Sequence, residues 1–152
     1  MTAAIKSQGT TLWVGTTAAD GSTDTYVQVK RVTGLSGGFG PEAAEIDATA
    51  IEDTAKEYLK GIVDYGVIEV AGRRVVTDAG QEDLEQAAAA AADAGYNFRI
   101  RRAGIGAAAA NVQWTFKAHV TKFKTVPGEV DGLMSFEASL RVTGAVTQGT
   151  YT

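Results

Sequence analysis

Two long stretches near the end of the chain alternate apolar and polar residues with a period of two. In the first, Val112, Trp114, Phe116, Ala118 and Val120 alternate with Gln113, Thr115, Lys117, His119 and Thr121. In the second, Met134, Phe136, Ala138, Leu140 and Val142 alternate with Ser135, Glu137, Ser139, Arg141 and Thr143. Side chains on a strand point to opposite faces in turn, so each stretch predicts a long strand with one dry face. Pro127-Gly128 and Asp131-Gly132 supply turn residues between them, which predicts an antiparallel hairpin. The apolar phase slips near Lys122 and Phe123, where a bulge is expected.

Shorter strand signals come earlier. Residues 10–15 carry Leu12 and Val14 among polar neighbours, and 25–33 is rich in β-branched residues. Over 44–50, Ala44, Ile46, Ala48 and Ala50 alternate with Glu45, Asp47 and Thr49. A further strand is expected at 96–102, whereas 15–23 and 34–41, rich in glycine and small polar residues, read as loops. One helix is predicted, over about 79–94. Asp78 suits its N-cap, Gln81 is placed as a capping-box partner, and Glu82, Asp83 and Glu85 suit its positive end. Gly95 follows as the stop. The alanines at 87–92 fit either close approach to a flat sheet or plain helix propensity. The predicted class is mainly β (α+β), a single domain over 1–152 with flexible arms at about 1–9 and 147–152.

Composition narrows the function classes. The 152 residues are 45% hydrophobic and 21% charged, ordinary values for a globular chain. There is no cysteine, which removes disulfides, thiolate metal sites and cysteine nucleophiles together. The opening 1–8 is polar and lacks the apolar stretch of a signal peptide. Nowhere do about 18 apolar residues run together, so no membrane-spanning helix is expected. The net charge of −4 gives no overall basic surplus for holding nucleic acid.

Chemistry-bearing motifs are weak. Residues 104–109 match G-x-G-x-x-A, but too few residues separate them from the strand at 112 for the helix and crossover of a dinucleotide site. The single histidine, His119, falls on the polar face of its strand without an evident partner. Glu42, Glu45, Asp47, Glu52, Asp53 and Glu57 form an acidic run without the loop spacing of an EF-hand. Glycines at 34–40 lack the lysine and serine or threonine of a phosphate loop. Trp13 and Trp114 read as core or interface aromatics. No catalytic, cofactor-binding or metal-binding residue is assigned.

The opening Gly9-Thr10-Thr11-Leu12-Trp13-Val14 resembles the first strand of lambda-type major tail tube proteins of long-tailed bacteriophages. Val29-Lys30-Arg31-Val32-Thr33 with its glycine-rich sequel is similar to their second strand. The stretch from Glu45 through 53–61 to Asp64-Tyr65-Gly66 resembles their strand, long loop and return strand. The helix and closing hairpin fall in the family's order, so the resemblance covers about 9–146. It implies a β-sandwich or barrel of two antiparallel sheets with one flanking helix. It also implies homohexameric rings that stack into a hollow tail tube, with no cofactor and no membrane. A tape-measure protein, a tail terminator and tail-tip proteins are the implied partners, and DNA passes through the lumen without specific binding. Assembly in the host bacterial cytoplasm and residence in the virion tail follow from the same resemblance.

On that reading, 51–63 is expected to be a ring-stacking loop, because it mixes apolar side chains with charges. Its candidate residues are Ile51, Asp53, Lys56, Tyr58, Leu59 and Ile62. Glu45, Asp47, Glu69 and Glu137 are candidates for a negative lumen wall that repels DNA, or they face solvent outside. Two other readings stay open. One is a secreted tube protein of a contractile injection or type VI-like machine, and the other is a monomeric β-sandwich binding module.

Overall fold

A computed structural model describes residues 8–18, 24–90, 95–103 and 111–151. Nine strands and one helix follow one another among these residues. They are β1 (Thr10–Val14), β2 (Val27–Val29), β3 (Val32–Ser36), β4 (Glu42–Asp47), β5 (Tyr58–Asp64), β6 (Val67–Arg73), α1 (Ala79–Ala89), β7 (Tyr96–Arg102), β8 (Val112–Val126) and β9 (Ser135–Thr150). All pairings are antiparallel. A seven-stranded sheet has the order β2-β1-β7-β8-β9-β6-β3, and β4 and β5 form a separate two-stranded sheet. The two antiparallel sheets and the single helix expected from the sequence are thus present, the sheets very unequal in size.

The strand order forces the large sheet to curl. Its edge strands, β2 and β3, are consecutive in the chain and separated only by Lys30 and Arg31. Three Cα–Cα steps reach at most about 11 Å, whereas seven strands laid flat would hold their edges roughly 29 Å apart. The sheet therefore bends until its edges meet at one corner. Arg31 makes the corner with φ 63°, a left-handed conformation outside glycine. This corrects the sequence reading of 25–33 as one strand. It also converts part of the expected 34–41 loop into strand, because β3 runs to Ser36.

Inside the curl lies one core. Leu12, Val14, Val29, Ile68, Val70, Phe98, Ile100, Phe116, Ala118, Val120, Phe136, Ala138, Leu140 and Val142 point inward and are buried, joined by Leu84 and Ala87 of α1. The dry faces of β8 and β9 read from the sequence are its floor, with Phe98 stacked on Phe116 and Phe123 on Phe136. The predicted bulge is present at Thr121, where the register shifts between Val120 and Lys122 and returns Phe123 to the inner face. β9 continues to Thr150 in register with Val112, so the expected arm at 147–152 is strand for its first residues.

The helix closes the corner. Asp78 caps α1 as expected, its Oδ2 accepting from the Gln81 amide at 3.1 Å and also from the Lys30 amide at 3.1 Å. Gln81 does not complete a capping box. Its fully buried carboxamide donates to the carbonyls of Lys30 and Arg73, both at 2.9 Å, and accepts from the Val75 amide at 2.9 Å. Gly80 lies against the Gln28 carbonyl and Val29 Cα, where a Cβ would collide with backbone. α1 is assigned through Ala89 with Ala90 as its C-cap, and the remainder of the expected helix, 91–94, lies outside the described residues.

Candidate functional site

Among the described residues, one apolar pocket touches the glycine segment at 34–40; Leu35, Gly38, Phe39, Ile68, Ile100 and Trp114 line it, and Thr10 and Ser36 supply its only hydroxyl groups. The 104–109 glycine motif lies outside the described residues. His119 is half-buried on the outer face of β8, opposite Arg141. Among the described residues no group of three or more His, Asp or Glu side chains is arranged to hold a metal ion. What the fold presents instead is unusual surface.

The first such surface is the β4–β5 hairpin. Among the described residues the two strands pair only with each other, and no residue between 42 and 64 belongs to the core. Leu59 is opposite Ile46, and Tyr58 is opposite Asp47. Ile46, Tyr58 and Leu59 are each about half exposed, while Ile51 is 104% and Ile62 95% exposed. The expected loop 51–63 is thus in part a strand. Tyr58, Leu59 and Ile62 belong to β5, while Ile51, Asp53 and Lys56 sit in the connection between the strands. That connection is ordered by its own polar groups. Asp53 Oδ2 accepts from the Ala50 amide at 2.6 Å, and Thr49 Oγ1 accepts from the Glu57 amide at 2.9 Å.

The root of the hairpin is fixed to the body. The Gly40 amide donates to the Tyr65 carbonyl at 3.1 Å, and the Val142 amide to the Gly66 carbonyl at 3.1 Å. Asp64 pairs with Arg141 and accepts from the Gly66 amide, which holds its carboxyl below the usual carboxylate range despite the opposing effect of burial. Phe39 anchors the other side, stacked on Phe116 and edge-on to Trp114. A firm base thus carries an exposed apolar tip.

The four carboxylates proposed for a lumen wall separate into two places. Glu45 and Asp47 lie on the hairpin, with Asp47 accepting from the Thr49 amide at 3.0 Å. Hydrogen bonds from the Thr49 side chain and backbone lower its pKa. Glu69 and Glu137 lie on the outer face of the large sheet. There Lys122 Nζ stands 3.9 Å from Glu69 and 4.0 Å from Glu137, and Ser139 donates to Glu69 at 2.6 Å. The same face carries Arg73, Lys117, Lys124 and Arg141, so these two carboxylates belong to a mixed network. Trp13 is also on this outer face, with the Arg101 guanidinium 5.0 Å from its ring centroid, whereas Trp114 packs on the core.

Sequence reasoning missed a second apolar surface. The turn between β8 and β9 exposes Val130 fully, with Leu133 at 66% and Val126 and Met134 also exposed. The only signal was the apolar content of a segment already read as a turn.

The family model for the lambda-like phage tail tube (TTP) matches residues 3–97, which takes in everything from β1 to the start of β7. The chain belongs to the lambda-like phage tail tube family. It is a structural protein of the virion tail. Solved structures extend the likeness past the matched region and show the same fold over the whole chain. The SPP1 tail tube is 17% identical with a TM-score of 0.69, covering 97% of this chain and 80% of that one. The tail of a gene transfer agent particle is 16% identical with a TM-score of 0.62, covering 95% and 98%. The tube-terminating cap of the anti-feeding prophage is 13% identical with a TM-score of 0.71, covering 99% and 94%. No curated protein matches the chain. Tail tube proteins of this fold occur as ring or helical polymers, so self-assembly is the property to seek on this tail tube protein's surface.

Proposed function

We propose that this chain is a non-catalytic building block, one domain over 1–152, whose copies close into rings of six. The rings stack into the tail tube through which DNA leaves the particle. The observation that supports this most strongly is the β4–β5 hairpin. A lone two-stranded hairpin is marginally stable in water, and this one exposes five large apolar side chains along its length. Its own core offers no cover, so another copy supplies it. Ile51, Asp53, Lys56, Tyr58, Leu59 and Ile62 are assigned to that stacking contact.

The outer face of β6, β8 and β9, with Glu69 and Glu137, is assigned to the channel wall, together with Glu45 and Asp47 at the hairpin. On that wall Lys122 is shared between two carboxylates and Arg141 is paired with Asp64, while Arg73, Lys117 and Lys124 stand on the same face. A tape-measure protein, a terminator and tail-tip proteins are the partners that such a tube requires. A tube of a contractile injection machine shares the fold, and the lambda-like family match weighs for the phage tail.

Negative-stain imaging of the purified chain at rising concentration tests this reading. Rings or hollow tubes with an axial channel are the expected result. Monomers at every concentration, even with tail-tip proteins added as seeds, would replace it with a monomeric binding module.

A further inference from the structure

The curled sheet leaves a seam open beside its corner. Among the described residues β3 pairs only with β6, so the other edge of Val32–Ser36 has no strand against it. Across the seam stands the start of β1. There β2 covers only Leu12, Trp13 and Val14, which leaves Thr10 and Thr11 paired with β7 alone. A groove of about 390 Å³ runs between the two edges, with Gln8, Gly9 and Thr10 on one side and 32–35 on the other. A bare strand edge is a template for unwanted pairing, and folded chains cover such edges.

The inner side of the seam is apolar. The pocket of Leu35, Phe39, Ile68, Ile100 and Trp114, about 180 Å³, opens beside the groove, and Thr10 and Leu35 line both. The stretch of chain nearest to it is 1–7, which lies outside the described residues. It joins the body at Gln8, in the wall of the groove itself, so no linker separates it from the free edge. Extended, seven residues reach about 23 Å, longer than the five residues of β3. Besides Met1, its one large apolar side chain is Ile5. Gly9, at φ 87°, has the left-handed backbone that opens a one-residue bulge. Across such a bulge Ile5 shares the inner face with Leu12 and Val14. The match to the family model also begins at residue 3, inside this stretch.

We propose that residues 1–7 add to the free edge of β3 in the same chain and close the seam, with Ile5 seated in the pocket beside Trp114. Proximity favours the chain's own segment over that of a second copy. Tethered at Gln8, it stands at an effective concentration on the order of millimolar or more, which a dilute second copy does not reach. The stretch expected as a flexible arm becomes an eighth strand of the large sheet. It also hides the β3 edge from pairing with other copies. Closure needs no second copy, so it is measured on the unassembled subunit, apart from whether copies stack.

Hydrogen exchange tests it. In the wild-type subunit the amides of Val32–Ser36 that face away from β6 should exchange slowly. Ile5→Asp should speed them by more than about tenfold while the amides of β8 hold. The same substitution should lower the melting temperature by roughly 4–8 °C, and Ile5→Val by less than half as much. Because the chain has no cysteine, Ile5→Cys combined with Leu35→Cys, or with Ser36→Cys, reads the placement directly. On mild oxidation at least one of these pairs should close within a chain, losing its thiols and running as a faster monomer on a non-reducing gel. Cross-links formed only between chains would overturn closure by the chain's own segment and give the groove to a second copy. Exchange at the β3 edge that Ile5→Asp leaves unchanged, with neither pair closing, would overturn the added strand altogether.

Discussion

Ile51→Asp combined with Ile62→Asp is expected to abolish tube formation while leaving the subunit folded. Both side chains are almost wholly exposed in the single chain, and neither touches the core. Surface changes of this kind alter stability by only about ±0.5 kcal/mol, so the melting temperature should hold. In the proposed stacking contact the same positions would be buried, and an apolar anchor there is worth on the order of 2 kcal/mol or more. A carboxylate in its place adds the cost of desolvating a charge beside an already acidic hairpin. A loss of about 3 kcal/mol per contact raises the concentration needed for growth by more than about a hundredfold. Ring geometry compounds this, since every copy in a ring carries the same defect. Sedimentation across a concentration series, with thermal melting alongside, reads both halves of the prediction. Parallel loss of melting temperature and assembly would mean that the hairpin supports its own subunit.

The second large effect is on the fold itself. Gln81→Leu removes the donors to the Lys30 and Arg73 carbonyls and the acceptor for the Val75 amide in one step. Leucine fills a similar volume, so the loss falls on the polar groups left behind. Three orphaned buried groups at about 1–2 kcal/mol each give roughly 3–6 kcal/mol together. That is a large share of the 5–15 kcal/mol typical of a domain. At about 2–4 °C per kcal/mol for a chain of this size, the melting temperature should fall by roughly 10–20 °C. The effect is this large because Gln81 ties the β2–β3 corner to the end of β6, where the curled sheet closes. A fall of only a few degrees would show that the corner holds without the helix.

The parts of the fold visible in the sequence were those fixed by local pattern. β8 and β9 announced themselves because ten residues of strict alternation in each leave no other period, and even the slip at the bulge was written in the phase. The cap at Asp78 was legible for the same reason, since the Gln81 amide it accepts from is three residues away. The corner at Arg31 was not. A left-handed arginine carries no glycine signal, and the two strands it separates differ only in their partners, β1 for Val27–Val29 and β6 for Val32–Ser36. Gln81 was placed correctly and given the wrong partners, because its carboxamide answers to Lys30, 51 residues distant. The acidic excess of the hairpin could be counted along the chain.

The same division explains the lumen candidates. Glu69 and Glu137 fell on polar faces by alternation, and the structure puts them on the outer face of neighbouring strands. Lys122 between them was out of phase in the sequence because of the bulge, so the network it forms was invisible.

Helical reconstruction of the assembled chain by electron cryomicroscopy is the most direct measurement of how this protein builds a tube. It should show a hollow tube of stacked six-membered rings, each β4–β5 hairpin covered by a copy in the next ring. A polymer whose hairpins stand free in solvent, or a chain that forms no polymer with tail-tip proteins present, would contradict it.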